Sequence, residues 1–132
     1  MMLIEEDKAI CPLLIVDDNK VDRDILLRHL RTACPTHMVD QAMDGAEALE
    51  KIRTKTYGLM LLDWQLPRMN ADQLLRRLQT LGRHLPVIVI SGFPFEEISG
   101  YLKPLGVSFL HKDNLSSASL SLVVSRALAG AI

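Results

Sequence analysis

The chain has 132 residues, of which 48% are hydrophobic and 23% charged, and its formal net charge is -1. This length suits a single domain, and the composition is typical of globular proteins. The lack of a basic excess argues against direct nucleic-acid binding. No stretch contains the roughly 18 uninterrupted apolar residues that a membrane-spanning helix needs.

Residues 1–10 carry acidic and basic side chains and have no long apolar core, which argues against a signal peptide or a membrane anchor. We therefore expect an N-terminal extension over residues 1–10, one folded domain over residues 11–132 and no membrane partner. Cys11 and Cys34 show neither metal-type spacing nor a disulfide pattern. Two reduced thiols in a cytoplasmic protein are the expectation.

Five short apolar runs alternate with segments of helical spacing along the chain. The runs are residues 13–16, a weaker one at 37–39, and then 59–62, 87–90 and 107–110. Three of them are continuous rather than alternating, which is typical of strands buried on both faces of a parallel sheet. Strand–helix alternation of this kind predicts right-handed crossovers and an α/β fold with a doubly wound sheet.

Four of the five intervening helices have clear signals. The first has an apolar face made of Ile25, Leu26, Leu30 and Ala33. Asp44 and Glu47 form a predicted capping box at the start of the second, and Gly82 is predicted to end the third. Ser116 or Ser117 is predicted to cap the last helix.

The fourth helix is the weak one. It is predicted over residues 95–103, beginning at Pro94 and ending at Pro104, with Gly100 in its interior. Both residue types disfavour helix interiors, so propensity supports this segment poorly.

Charged and polar residues follow the central strands. Asp17 and Asp18 come directly after the first apolar run, Asp63 after the third and Ser91 after the fourth, while Lys112 lies two residues beyond the fifth. In open α/β sheets, ligands bind at the carboxyl edge of the strands, where the strand order reverses. We therefore expect these five side chains to share one site.

Three carboxylates at one sheet edge need compensation. Two like charges about 5 Å apart repel by roughly 3 kcal/mol at an effective dielectric near 20, so either the carboxyl groups bind protons or a cation lies between them. A set of oxygen ligands without His or Cys suits Mg²⁺. One Mg²⁺ and Lys112 would balance the charges of Asp17, Asp18 and Asp63.

One of these carboxylates is then a candidate nucleophile, because attack of a carboxylate on phosphorus gives an aspartyl phosphate. Lys112 and the metal would neutralise charge on the transferring group, and the Ser91 hydroxyl would donate to it. Each residue also has an ordinary interpretation: Asp18 or Asn19 as a helix N-cap, Asp63 as a turn residue, Lys112 as an exposed side chain. Their joint occurrence in order on four strands favours the functional interpretation.

At this point the chain resembles the response-regulator receiver domains of two-component signalling, over residues 12–129. The motifs that it shares are Leu13-Leu14-Ile15-Val16-Asp17-Asp18-Asn19, Leu61-Leu62-Asp63-Trp64-Gln65-Leu66-Pro67-Arg68-Met69-Asn70, Val87-Ile88-Val89-Ile90-Ser91-Gly92 and Phe109-Leu110-His111-Lys112. The resemblance implies a flavodoxin-like fold with five parallel strands in the order 2-1-3-4-5 and five flanking helices.

The resemblance also implies roles for the site residues. Asp63 would accept phosphate from a histidine kinase or a histidine phosphotransfer protein. Mg²⁺ would be held by Asp17, Asp18, Asp63 and the backbone carbonyl of Gln65. The protein would be a signalling switch rather than an enzyme, with Mg²⁺-dependent self-phosphorylation and autodephosphorylation as its only reactions.

The resemblance also implies how phosphorylation would change the contacts of the domain with a partner. Ser91 and Lys112 would contact the phosphoryl group, and Phe109 would move together with Ser91. The face formed by helix 4, strand 5 and helix 5 would then contact a downstream protein, an effector domain or a second copy in a phosphorylation-dependent homodimer.

Three positions depart from the family pattern. Asp113 follows Lys112 where receivers usually have proline, so the loop after strand 5 is expected to differ. Ala71 stands where a glycine is usual after Asn70, and Phe93 adds an apolar group at the rim of the site.

Three other functions share parts of this pattern. A phosphatase of the haloacid dehalogenase type would need a second acid two residues after Asp63, where Gln65 stands. A flavodoxin would need a hydroxyl-rich phosphate loop after strand 1, where Asp17 and Asp18 would instead repel phosphate. A degenerate receiver used only for protein contact would not need a complete set of acids with Lys112.

Overall fold

Five parallel strands form one sheet in the order β2-β1-β3-β4-β5. The strands are β1 (Leu13–Val16), β2 (Val39–Ala42), β3 (Leu59–Asp63), β4 (Val87–Ser91) and β5 (Ser108–His111). The helices between and after them are α1 (Lys20–Ala33), α2 (Gly45–Thr54), α3 (Ala71–Thr80), α4 (Phe95–Leu102) and α5 (Ser117–Leu128). This is the predicted flavodoxin-like fold with its predicted strand order.

The structure is a computed structural model that describes residues 11–105 and 107–129. The N-terminal extension expected over residues 1–10 lies outside the described residues, as do the last three residues of the domain expected over 11–132.

The sheet is covered on both faces. Alternate residues of β1, β3 and β4 pack against α2, α3 and α4 on one face, and the residues between them pack against α1 and α5 on the other. All four residues of β1 are inaccessible to solvent, which explains its uninterrupted apolar sequence.

Strand β2 begins later than predicted. The weak apolar run at residues 37–39 suggested a strand there, but the strand runs over Val39–Ala42 and Met38 is 70% exposed. β2 is an edge strand: Val39 and Ala42 pack against the core, whereas Asp40 and Gln41 between them are half-buried and polar. Asp40 accepts hydrogen bonds from Lys55 and Tyr57, and Gln41 accepts one from Arg23.

The helix starts agree with the cap signals in the sequence, with one difference. The Asp44 carboxylate accepts from the Glu47 N–H at 2.8 Å, but the Glu47 carboxylate accepts from the Met43 N–H rather than closing the predicted box on Asp44. Ser116 caps α5, and Gly82 lies just beyond α3 with φ of 70°, a left-handed conformation that favours glycine.

Helix α4 is short, as its sequence predicted. Pro94 precedes it without any side-chain cap, and a single 3-10 turn, Lys103–Leu105, replaces its predicted last residue. Its inward residues Ile98 and Leu102 are buried, so packing against the sheet, and not propensity, stabilises this helix.

Candidate functional site

Three carboxylates meet at the carboxyl ends of β1 and β3. Val16 and Leu62 are paired in the sheet, so the residues that follow them, Asp17 and Asp63, emerge side by side. One oxygen from each of Asp17, Asp18 and Asp63 lies within 4.8 Å of the others. Asp17 and Asp63 are only 1% and 5% exposed, whereas Asp18 is exposed.

Burial makes ionisation of Asp63 and Asp17 unfavourable. Burial and the neighbouring Asp17 carboxylate raise the pKa of Asp63 to about 7, against the opposing effects of Lys112 and the Gln65 amide. Burial also raises the pKa of Asp17, although its carboxylate accepts from the Asn19 N–H at 2.9 Å. A cation among these oxygens would stabilise the ionised forms.

Lys112 brings positive charge to these carboxylates from the end of the edge strand β5. It follows β5 directly, and its Nζ lies 3.7 Å from Asp63 Oδ1 and 3.3 Å from Asp22 Oδ2. Burial alone would lower the pKa of Lys112, but the carboxylates of Asp63 and Asp22 outweigh it and hold that pKa above its usual value. Lys112 therefore stays protonated at neutral pH.

Ser91 and Phe109 lie on the two strands beyond β3. Ser91 ends β4 and is inaccessible to solvent, and its hydroxyl oxygen accepts from the Phe93 N–H at 2.9 Å. Phe109 lies half-buried on β5, where its ring centroid is 5.3 Å from that of Phe95 and 6.4 Å from that of His111. Phe109 pairs in the sheet with Val89, two residues before Ser91.

The sequence analysis did not identify two residues that contact this site, Arg23 and Asp22. Arg23 is buried, and its guanidinium donates to the backbone carbonyl of Asp17 at 2.7 Å and to the Gln41 side chain at 3.1 Å. Its position three residues before Leu26, on the apolar face of α1, was a usable signal. Asp22 gave no such signal, because its partner Lys112 is 90 residues away.

The three positions that depart from the family pattern lie in a 3-10 turn, at the start of α3 and at the rim of the site. Residues Lys112–Asn114 form a 3-10 turn, in which His111 Nδ1 accepts from the Asp113 N–H, and no cis peptide bond occurs among the described residues. Ala71 is fully buried as the first residue of α3, which Asn70 caps. Phe93 is 38% exposed, at the rim of the site.

Comparison with protein families matches residues 13–119 to the response regulator receiver domain. The chain belongs to this family. Receiver domains are phosphoacceptor modules of two-component response regulators, signalling switches that interact with histidine kinases and downstream effectors. The phosphatase and flavodoxin alternatives are therefore wrong.

Relatives of this receiver differ in length. A two-component response regulator of rice, ORR41, is 26% identical over 118 residues, which cover 86% of this chain and 91% of that protein. The response regulator MprA of Mycobacterium ulcerans is 34% identical over 79 residues, which cover 60% of this chain but only 33% of that protein.

Solved receiver structures have the same architecture. The receiver domain of the response regulator NarL from Mycobacterium tuberculosis matches with a TM-score of 0.82 at 25% identity, covering 92% of this receiver and 98% of that chain. A CheY-like receiver from Methanospirillum hungatei matches with a TM-score of 0.81 at 24% identity, covering 92% and 95%, which shows the fold alone. In residues 11–105 and 107–129 of this receiver, no helix combines the length and apolarity needed to span a membrane.

Proposed function

We propose that this receiver takes a phosphoryl group from the phosphohistidine of a histidine kinase or phosphotransfer protein onto Asp63, in a Mg²⁺-dependent reaction. One observation carries the proposal: a buried carboxylate at the end of a central strand lies within 3.7 Å of a lysine ammonium and beside two further carboxylates. The matched family segment, residues 13–119, lies within the domain that we assign to residues 11–132.

The chemistry is a transfer between two nucleophiles. An oxygen of the Asp63 carboxylate attacks phosphorus, the bond between phosphorus and the imidazole nitrogen breaks, and its electron pair stays on that nitrogen. Lys112 is placed to neutralise charge on the phosphoryl oxygens as they approach, and Ser91 to donate its hydroxyl hydrogen to one of them. We assign the acceptor role to Asp63 because it ends the central strand β3 beside Asp17, and its ion pair with Lys112 supports this assignment.

The donor set at the site fits Mg²⁺. Asp17, Asp18 and Asp63 offer only oxygen atoms, as a hard cation prefers. Burial and the neighbouring Asp17 carboxylate raise the pKa of Asp63, so a cation among these oxygens would favour its ionised form. These three carboxylates and the backbone carbonyl of Gln65 would hold the ion. When bound, Mg²⁺ neutralises charge on the carboxylates and on the phosphoryl group.

The charge that phosphorylation adds to Asp63 would act on the rest of the domain through Ser91. Movement of Ser91 toward the phosphoryl group would vacate space at the end of β4, and Phe109 would turn into that space. Phe95, whose ring contacts Phe109 in a T-shaped arrangement, lies in the first turn of α4. The face of α4, β5 and α5 would therefore change for a downstream protein, an effector domain or a second copy of the chain.

Phosphorylation of the purified domain tests the acceptor. We expect acetyl phosphate with Mg²⁺ to add one labile phosphoryl group by intact mass, and chelation of Mg²⁺ with EDTA to abolish it. Asp63→Asn should lose the modification because the amide is not a nucleophile. Asp113→Asn, which removes an aspartate whose side chain is 89% exposed, is the matched control and should be modified normally. Equal modification of Asp63→Asn would refute the assignment.

A further inference from the structure

Lys112 has two carboxylate partners rather than one. Its ammonium lies 3.3 Å from Asp22 Oδ2, within hydrogen-bond distance, and 3.7 Å from Asp63 Oδ1. The Asp22 contact is therefore the closer of the two. Asp22 lies on α1, so this lysine links the loop after β5 to the first helix as well as to the proposed acceptor.

The cap of α1 directs Asp22 to this lysine. Asn19 caps the helix by accepting from the Asp22 N–H at 3.0 Å, which fixes the backbone of Asp22. In a capping box, an acid at this position would accept from the N-cap N–H. Here the Asn19 N–H donates instead to Asp17 Oδ1 at 2.9 Å, and the Asp22 carboxylate extends to Lys112.

Apolar side chains lie beside this ion pair. Asp22 and Lys112 border a cavity of about 190 Å³ whose other walls include the apolar side chains of Ile25, Leu26 and Leu115. The two charged side chains are 40% and 32% exposed, so solvent weakens the pair only in part. Asp22 also adds a fourth negative charge beside the three carboxylates of the site.

We propose that Asp22 is a positioning residue that competes with Asp63 for Lys112 and thereby slows phosphoryl transfer to Asp63. The inference rests on the proposed function. A lysine held by Asp22 must leave that contact to neutralise an incoming phosphoryl group, and the Asp22 charge repels an anionic donor. The receiver would therefore have a built-in restraint on phosphorylation by small anionic donors.

The initial rate of phosphorylation by acetyl phosphate tests this inference. We expect Asp22→Asn to react roughly threefold to fivefold faster than the wild type at low salt, because it removes a partly exposed charge and frees Lys112. Asp22→Glu keeps the charge and should stay close to the wild-type rate. Asp24→Asn is the matched control: Asp24 lies on the same helix, and its carboxylate forms an exposed pair with Lys20 at 3.0 Å.

Each outcome bears on a specific claim. A faster Asp22→Asn, a near-normal Asp24→Asn and a difference that shrinks at about 0.5 M salt would support the competition. An unchanged or slower Asp22→Asn, or equal acceleration in Asp24→Asn, would overturn it while leaving Asp63 as the acceptor. A wild-type domain that takes up no phosphoryl group would overturn the proposed function and this inference together. Far-UV circular dichroism confirms that each variant is folded.

Discussion

The Asp63 side chain lies where burial makes its ionised form unfavourable. Only 5% of the residue is exposed, and the Asp17 carboxylate lies beside it. Its raised pKa means that the folded protein binds a proton at pH values where the unfolded chain has already released it. That difference couples folding stability to pH.

The sign of this coupling follows from the two pKa values. The folded value is about 7 and the ordinary value 3.8, so the contribution of Asp63 to stability is full below pH 3.8, declines as pH rises and is lost above about 7. Without divalent cations, we expect Asp63→Asn to be more stable than the wild type at pH 8, by on the order of 2 kcal/mol. At pH 5 the difference should be much smaller.

Urea unfolding at both pH values with EDTA present measures this effect. The amide retains an oxygen that can accept from the Gln65 N–H, so the substitution removes mainly charge. Asp113→Asn, at an 89% exposed side chain, should show no comparable gain at pH 8. A gain for Asp63→Asn that does not depend on pH would contradict the electrostatic explanation.

The sequence allowed the acidic cluster to be located but not all its contacts. Because parallel strands end at one edge, the positions of Asp17, Asp63 and Lys112 after their strands were sufficient to predict that they meet. The contact of Asp22 with Lys112 depends on how α1 lies against the sheet, and strand positions do not fix that. Such contacts between distant segments need the structure.

At the scale of elements, α4 is the helix with the least intrinsic support. It lacks a side-chain cap and contains Gly100, and its bounds were nonetheless predicted to within one residue at its end. The strand β2 was placed less well because edge strands carry polar side chains and lose the apolar signal. Element prediction thus succeeded where burial was complete and weakened where it was partial.

A pair of glycine substitutions tests the assignment of α4 as a marginal helix. A Cβ at Gly100 would meet nothing within 4 Å, so Gly100→Ala should raise the free energy of unfolding by about 0.5–1 kcal/mol through helix propensity. A Cβ at Gly45, the first residue of α2, would lie 2.9 Å from the Met69 carbonyl oxygen. Gly45→Ala should therefore destabilise the domain by about 1–3 kcal/mol.

Chemical denaturation of both variants beside the wild type measures these opposite effects. The same substitution at two helical glycines makes each the control of the other. If Gly100→Ala lowered stability, α4 would need its glycine for packing, and the view of it as an intrinsically weak helix would be wrong.

At the scale of the whole molecule, the two faces of the sheet have different parts in the proposed switch. Helices α1 and α5 pack on the face from which Asp22 reaches Lys112, while α4 packs with α2 and α3 on the other. Phe109 packs against the core residues on the face covered by α2, α3 and α4, and its ring contacts that of Phe95 in α4. In the proposed switch, a change at Ser91 would reach α4 through Phe109 and Phe95, and α4 lacks a side-chain cap.

Hydrogen exchange with and without beryllofluoride, a mimic of the phosphoryl group, tests whether the switch extends that far. The active arrangement need only be a minor population beforehand, a few kcal/mol above the resting one, for the added charge at Asp63 to select it. We expect altered protection over residues 91–111, covering the end of β4, helix α4 and strand β5, and little change in β1. Asp63→Asn should show no response to beryllofluoride. If protection changed only around Asp17, Asp18 and Asp63, the domain would store phosphate without transmitting a signal, because the added charge would not have reached the surface that a partner contacts.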